Sequence, residues 1–430
     1  MIGVIFLYSY LRYLQRAIRQ HCSFKLFTMK RFYCLLGLSV LILYHPLTAQ
    51  ESQKERSLEI YGFAMMDAGY DFNQIHPDWF DVVRPTKLPS FKDQYGTDGN
   101  TYFSVRQTRL GVKGYFNTPL GELKTIFEFE MFGTGVDAGQ TTFRLRHAYG
   151  ELGKFGAGQY WSPFMDIDVF PNTLEYWGPS GMVFFRNVQF RYMPIQGDTR
   201  LTFALERPGA SADQGVYENR IELDNVKPRF RLPDFSAEFR YGQKWGYLEI
   251  ATMLRKIEWV DQGVSPGIDL SGDAIGWGVN VSTNLNLGKK DVFRGQVVYG
   301  EGIQNYMNDA PADIGIRNNF SNPNKPIVGV PLPVTGIVAF LDHRWGPKFT
   351  SSVGYSSVEI DNSDASTNDA FSNGRYAIAN LLYQPVERVM VGTELQYGKR
   401  ENFRDGYSSE IIKIQFSFKY SFSHTFYRDK

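Results

Sequence analysis

Strict alternation runs through the last segment of the chain. Ile412, Ile414, Phe416, Phe418, Tyr420 and Phe422 share one face, while Lys413, Gln415, Ser417, Lys419 and Ser421 share the other, because successive side chains of a strand leave opposite faces of a sheet. A strand of a soluble sheet is typically about 5 or 6 residues long, whereas about 9 to 11 tilted residues cross a bilayer. The segment therefore predicts a membrane-crossing strand with an apolar outer face and a polar inner one. Trp277, Val279, Val281, Thr283, Leu285 and Leu287 repeat the pattern against Gly278, Asn280, Ser282, Asn284 and Asn286. So do Val389, Val391, Thr393, Leu395 and Tyr397 against Arg388, Gly392, Glu394 and Gln396. An inner face rich in Lys, Arg, Glu, Asn and Gln inverts the apolar filling of a soluble barrel.

Turn signals count the strands. Tight turns are expected at 117–121, 151–154, 194–198, 242–244, 288–291, 346–348 and 385–387. Between them lie long segments rich in Asp, Asn, Gly, Pro and Ser, at about 71–100, 133–140, 162–181, 208–228, 260–272, 304–333, 361–373 and 400–410. Seven tight turns interleaved with eight long loops join about 16 strands, an even number as single-chain bacterial barrels use. The fold class is all-β: a transmembrane antiparallel up-and-down β-barrel of about 16 strands, short turns periplasmic and long loops extracellular. The last strand is expected to pair with Leu58–Tyr70, so that no sheet edge remains in lipid.

The N-terminus supplies an export signal. Met29, Lys30 and Arg31 form a charged start, Cys34 to Tyr44 an apolar run, and Leu47-Thr48-Ala49 a cleavage site before Gln50. Residues 1–49 thus read as an extension plus signal peptide with Met29 as the true start, 50–57 as a short periplasmic lead-in and 58–430 as the barrel. Cleavage removes both cysteines, Cys22 and Cys34, so the mature chain needs no disulfide. It also removes six basic and no acidic residues, leaving 46 − 6 = 40 basic against 45 acidic and a net charge of −5, without a basic surface for nucleic acid. No long apolar span lies beyond the N-terminus, which excludes a helical membrane protein. The 16% aromatic content suits the girdles of an outer-membrane barrel, in contact with outer-membrane lipid.

A barrel of this size leaves an aqueous lumen, and charged side chains at its narrowest point set selectivity. Arg144 and Arg146 share a face opposite Phe143 and Leu145 and point inward. Arg106 and Arg109 have opposite parity, so either a bulge separates them or one alone faces the lumen; Leu110, Val112 and Phe116 as the lipid face place Arg109 inward. Arg191 lies opposite Val188, Phe190 and Tyr192, and Arg186 sits near the outer end of the same strand. Glu128 and Glu130, opposite Phe127, Phe129 and Met131, are lumen carboxylates that could simply pair with these arginines. Alternatively the arginines form a track facing an acidic wall, whose transverse field favours anions, since the planar guanidinium fork grips carboxylate or phosphate.

The segment from Gly158 to Tyr192 carries the most specific pattern. Gly158, Gln159, Trp161, Ser162, Phe164, Met165 and Asp166 open it, Gly178, Pro179 and Gly181 form its centre, and Arg186, Gln189, Arg191 and Tyr192 close it. With Arg144 to Gly150 and Arg109-Leu110-Gly111, it resembles the DcaP-like outer-membrane porins, densely over about 101–195. The resemblance implies a trimeric 16-stranded porin whose third extracellular loop folds inward as a constriction, with basic wall residues attracting organic anions such as dicarboxylates. With the strand parity, it leads to the expectation that Arg109, Arg144, Arg146, Arg186, Arg191, Glu128 and Glu130 line the pore. Gln159, Trp161, Phe164, Asp166, Asp168 and Glu175 would belong to the constriction loop. The implied partners are small anionic or hydrophilic solutes, lipid, two further copies in a homotrimer and the barrel assembly machinery. Some relatives carry an N-terminal coiled coil, for which Gln50 to Ser57 leave no room, so trimerisation would rest on the barrel walls. Pro163 and the run Asp166-Ile167-Asp168 alter the loop locally.

Other chemistry is weakly signalled. Beyond residue 49 only His76, His147, His343 and His424 occur, none in a catalytic motif. Asp361-Asn362-Ser363-Asp364 resembles half a calcium loop without its glycine. No cofactor, metal site or enzyme activity is expected. The alternatives to an organic-anion porin are a phosphate-selective-type porin and, from another class, a barrel enzyme or a closed surface-binding barrel.

Overall fold

The computed structural model describes residues 56–263 and 267–427; the leader and start site expected over 1–49, and residues 50–55 of the lead-in, lie outside them. The strands run β1 (Ser57–Asp71), β2 in two pieces (Asn100–Ser104 and Arg109–Thr118), β3 (Gly121–Phe132), β4 (Thr141–Leu152), β5 (Phe155–Trp161), β6 (Arg186–Ile195) and β7 (Arg200–Glu206). There follow β8 in two pieces (Val226–Arg229 and Asp234–Gln243), β9 (Gly246–Asp261), β10 (Gly272–Leu287) and β11 (Asp291–Glu301). The last five are β12 (Pro333–Arg344), β13 (Phe349–Ile360), β14 (Phe371–Tyr383), β15 (Val389–Asn402) and β16 (Ser408–Tyr427). Each pairs antiparallel with its neighbours, and with the two split strands counted once they make a closed barrel of 16.

Closure is complete. β1 pairs with β16 from Ser57↔Tyr427 to Asp71↔Lys413, which leaves no row of unpaired peptide groups in hydrocarbon, where each would cost several kcal/mol. Alternation along β16 matches the pattern of the sequence: Ile412, Phe416, Phe418, Tyr420 and Phe422 are exposed on the outer wall, and Lys413, Gln415 and Ser417 are fully buried inside. In β10 Val279 and Val281 face outward and Asn280 and Ser282 inward. Val281→Arg is therefore expected to destabilise the folded barrel by about 2–4 kcal/mol. Urea titration of protein refolded into vesicles measures this, and a cost below about 1 kcal/mol would remove Val281 from the lipid face.

The parity conflict between Arg106 and Arg109 has a structural origin. Phe63 pairs with Arg109 and Asp67 with Ser104, so Ala64 to Met66 on β1 stand opposite the longer stretch Val105 to Thr108 on β2. The one extra residue is a bulge, which resets the alternation and turns both arginines inward. Thr108 fills the break, its hydroxyl accepting the Met65 N–H at 3.2 Å.

Seven short turns lie at one end of the barrel and eight longer loops at the other. The loops are L1 (72–99), L2 (133–140), L3 (162–185), L4 (207–225), L5 (262–271), L6 (302–332), L7 (361–370) and L8 (403–407). L6 carries its own two-stranded ribbon, Ile314–Asn318 with Ile327–Pro331. The largest apolar cluster is made chiefly of L1, L3 and L6 packed on the inner wall, with Val82, Val83, Phe164, Val169, Met182 and Val183 all fully buried.

Candidate constriction site

L3 lies inside the barrel and is fastened to three stretches of wall. Its first anchor is Asp166, fully buried, whose carboxylate accepts from Arg240 at 2.5 Å, Tyr247 at 2.6 Å and Ser282 at 2.7 Å. Arg240 also pairs with Asp168 and with Glu249, and Asn284 donates to the Asp168 carbonyl at 2.7 Å. The second anchor is Glu394 of β15, which accepts the N–H groups of Leu174 at 2.7 Å and Glu175 at 3.0 Å. The third is Glu130 of β3, which accepts from the Tyr176 hydroxyl. Glu175 itself accepts from the N–H groups of Val83, Trp177 and Gly178 and from the Tyr376 hydroxyl. Burial pushes the Glu175 carboxyl up to about 8, against the pull of those three backbone donors.

The glycines of the central motif have geometric causes. Gly178 adopts φ +83°, in the left-handed region that favours glycine, which closes the turn around Glu175. At Gly181 the L3 backbone presses on the wall so closely that a Cβ would lie 1.9 Å from the Ser357 carbonyl oxygen. Gln159 and Trp161 belong to β5 rather than to the loop, which begins at Ser162. Gln159 caps the carbonyls of Leu145 and Arg146, and the Trp161 ring lies beneath the guanidinium groups of Arg146 and Arg186. Phe164 is fully buried, with its ring edge-on to Tyr306 of L6.

Four arginines converge on Glu128 and Glu130. Arg146 bonds to both carboxylates at 2.5 Å. Arg109 lies 3.4 Å from Glu130 and 3.8 Å from Glu128, and Arg144 and Arg186 each lie 3.6 Å from Glu130. Glu128 also accepts from Tyr61 at 2.7 Å. Two carboxylates thus face four guanidinium groups, an excess of two positive charges on the wall beside L3. Arg186 joins from the first position of β6, where the strand has only begun. Arg191 does not join them: it bonds to Gln189 and the Trp161 carbonyl, lies over the Tyr149 and Tyr160 rings, and forms no ion pair among the described residues.

The acidic residues of L3 do not form a free wall opposite these arginines. Asp166 and Glu175 are buried in anchoring bonds, and Asp168, half exposed, is held by Arg240 on the far side. The carboxylates that face the arginines are their own strand neighbours. Alternation of Phe239 and Tyr241 with Arg240 signals that inward arginine, yet nothing local in the sequence says that it grips a loop more than 70 residues earlier.

L1 also enters the lumen, which the sequence did not signal. Arg84 lies over the edge-to-face pair of Trp79 and Trp177, 4.2 and 4.0 Å from their ring centroids, and pairs with Asp309 of L6 at 2.9 Å. Burial lowers the Arg84 pKa while Asp309 holds it up. Lys413 on β16 donates to the Phe80 and Val82 carbonyls, and Arg106 pairs with Asp81. Cavities border L3 on both of its sides. One of about 630 Å³ on the short-turn side reaches Arg109 and Arg146. A second of about 440 Å³ on the same side borders Arg191, and one of about 280 Å³ on the long-loop side borders Arg144 and Arg186.

This architecture has close counterparts. The family model described as DcaP outer membrane protein matches residues 45–422. The outer membrane channel DcaP of Acinetobacter baumannii superposes with a TM-score of 0.70 at 21% identity, covering 87% of this chain and 100% of that one. An anion-selective porin from Comamonas acidovorans gives 0.55 at 10% identity over 86% of this chain and 100% of its own, and OmpT of Vibrio cholerae 0.52 at 10% over 86% and 99%. No curated protein sequence matches the chain. With the family model spanning nearly the whole barrel, the chain belongs to the DcaP outer membrane protein family and is an outer-membrane β-barrel channel, not an enzyme.

Proposed function

We propose that the barrel is a passive diffusion channel for small hydrophilic solutes with a preference for organic anions such as dicarboxylates. The observation that carries this is the excess of two positive charges where Arg109, Arg144, Arg146 and Arg186 meet Glu128 and Glu130 beside the inserted loop. In a lumen walled by protein such charges are less screened than in bulk water, so they lower the barrier for anions and raise it for cations. Arg144, with three-tenths of its side chain exposed and a single carboxylate at 3.6 Å, retains hydrogen-bonding capacity for a solute.

A homotrimer fits the same barrel. β5 and β7 have only 7 residues each, short of the roughly 9 to 11 that span a bilayer, whereas β16 has 20. The outer face of this low wall shows Phe155, Val188 and Phe190. A neighbouring copy would shield it from lipid where the strands are too short to do so. The test is a planar bilayer separating unequal KCl concentrations: open-channel steps with a reversal potential on the anion side are expected, with added dicarboxylate reducing the chloride current. A silent or cation-selective protein would refute the proposal.

A further inference from the structure

We infer that the rings of Tyr176 and Phe184 form the aperture of this channel and set the size of the solute that passes, an inference that rests on the diffusion-channel function proposed above. The cavity bordering Arg144 and Arg186 and the larger one bordering Arg109 and Arg146 lie on opposite sides of L3. Of all their lining residues, only Tyr176 and Phe184 border both. The 440 Å³ cavity shares no lining residue with the outer one.

Charge follows the same line. Arg144 and Arg186 stand on the outer side of the two rings and Arg109 and Arg146 on the inner, and all four lie within 4 Å of the one carboxylate of Glu130. An anion leaving the outer pair meets the inner pair directly behind the rings, so the narrowest point coincides with the handover.

The two rings are held differently. Tyr176 stacks on Phe132 with centroids 4.0 Å apart at 12°, and its hydroxyl is bonded to Glu130 and lies 3.5 Å from Arg146. Phe184 has a backbone bond to Tyr306, but its ring makes only edge and tilted contacts, 5.2 Å to Trp161 and 5.7 Å to Phe170. Phe184 is therefore the side that can be trimmed without disturbing the arginine group.

The chain from residue 50 has no cysteine, which allows a direct test. In the refolded barrel, Phe184→Cys should react with the anionic reagent sulfonatoethyl methanethiosulfonate added to either chamber of a planar bilayer. Single-channel conductance should then fall by roughly half or more. Phe143→Cys, on the outer wall, should show no change. Phe184→Ala should raise conductance about twofold while keeping the sign of the reversal potential, because the four arginines remain. Phe184→Leu serves if the alanine variant does not refold. Unchanged conductance in these variants, or modification from one chamber only, would overturn the aperture. A wild-type channel that is silent or cation-selective would instead strike the diffusion-channel proposal itself.

Discussion

Arg144→Ala combined with Arg146→Ala abolishes the anion preference of the channel. The wild-type group sets four guanidinium charges against two carboxylates; the double variant leaves Arg109 and Arg186 against Glu128 and Glu130, and the local net charge falls from +2 to zero. At about 5 Å and an effective dielectric constant of about 20, each lost charge removes about 3 kcal/mol of attraction for a monovalent anion, an upper bound before salt screening. Even a fraction of that moves the anion-to-cation permeability ratio by about tenfold, since 1.4 kcal/mol corresponds to that factor. The measurement is the reversal potential in a KCl gradient, with Arg191→Ala as the control because Arg191 lies outside the group. A double variant as anion-selective as wild type, or an Arg191→Ala channel equally changed, would reject the role assigned to the arginines.

Arg240→Ala is expected to cost about 3–5 kcal/mol of stability and to release L3 from its wall. Arg240 is the cation shared by Asp166, Asp168 and Glu249, of which Asp166 and Glu249 are buried. Removing it leaves two buried carboxylates short of a counter-charge, and this loss exceeds the value of the original pair, because desolvated charge without a partner is what the barrel cannot tolerate. Tyr247 and Ser282 still donate to Asp166, and Arg200 still reaches Glu249 at 3.1 Å, so the barrel persists while the loop loosens. Urea unfolding in vesicles reads the stability, and broader, noisier open-channel currents read the loop. Adding Asp166→Asn to Arg240→Ala should recover about half or more of the loss, as a coupled pair requires. Costs that simply add would show that the two residues do not act together.

Much of the barrel was readable one residue at a time. A strand in this setting has water on one side and lipid on the other, so each position in β16 or β10 must be polar or apolar by parity alone, and the alternation reports the environment directly. Turn residues likewise report a local need, which is why all seven short connections and all eight loops stand where Gly, Pro, Asn and Asp cluster. The inward direction of Arg144, Arg146, Glu128 and Glu130 followed from the same parity. The parity of Arg106 did not yield, because a single inserted residue opposite Ala64 to Met66 shifts every later position and leaves no mark in composition.

The contents of the lumen belong to a different class of information. L1 and L3 enter it because Lys413, Gln415, Glu394 and Arg240 on distant strands hold their backbones and carboxylates. These partners lie about 70 to more than 300 residues apart in sequence, and no local pattern pairs them. The same distance effect makes Asp166 and Glu175, expected only as residues of the constriction loop, into its buried anchors. Alternation is a property of one strand in its solvent, and so the chain could state its barrel, its strand number and the inward side of its arginines. Which loops plug the barrel, which carboxylates stay free and where Tyr176 and Phe184 narrow the path depend on pairings across the lumen, which exist only once β1 has closed on β16.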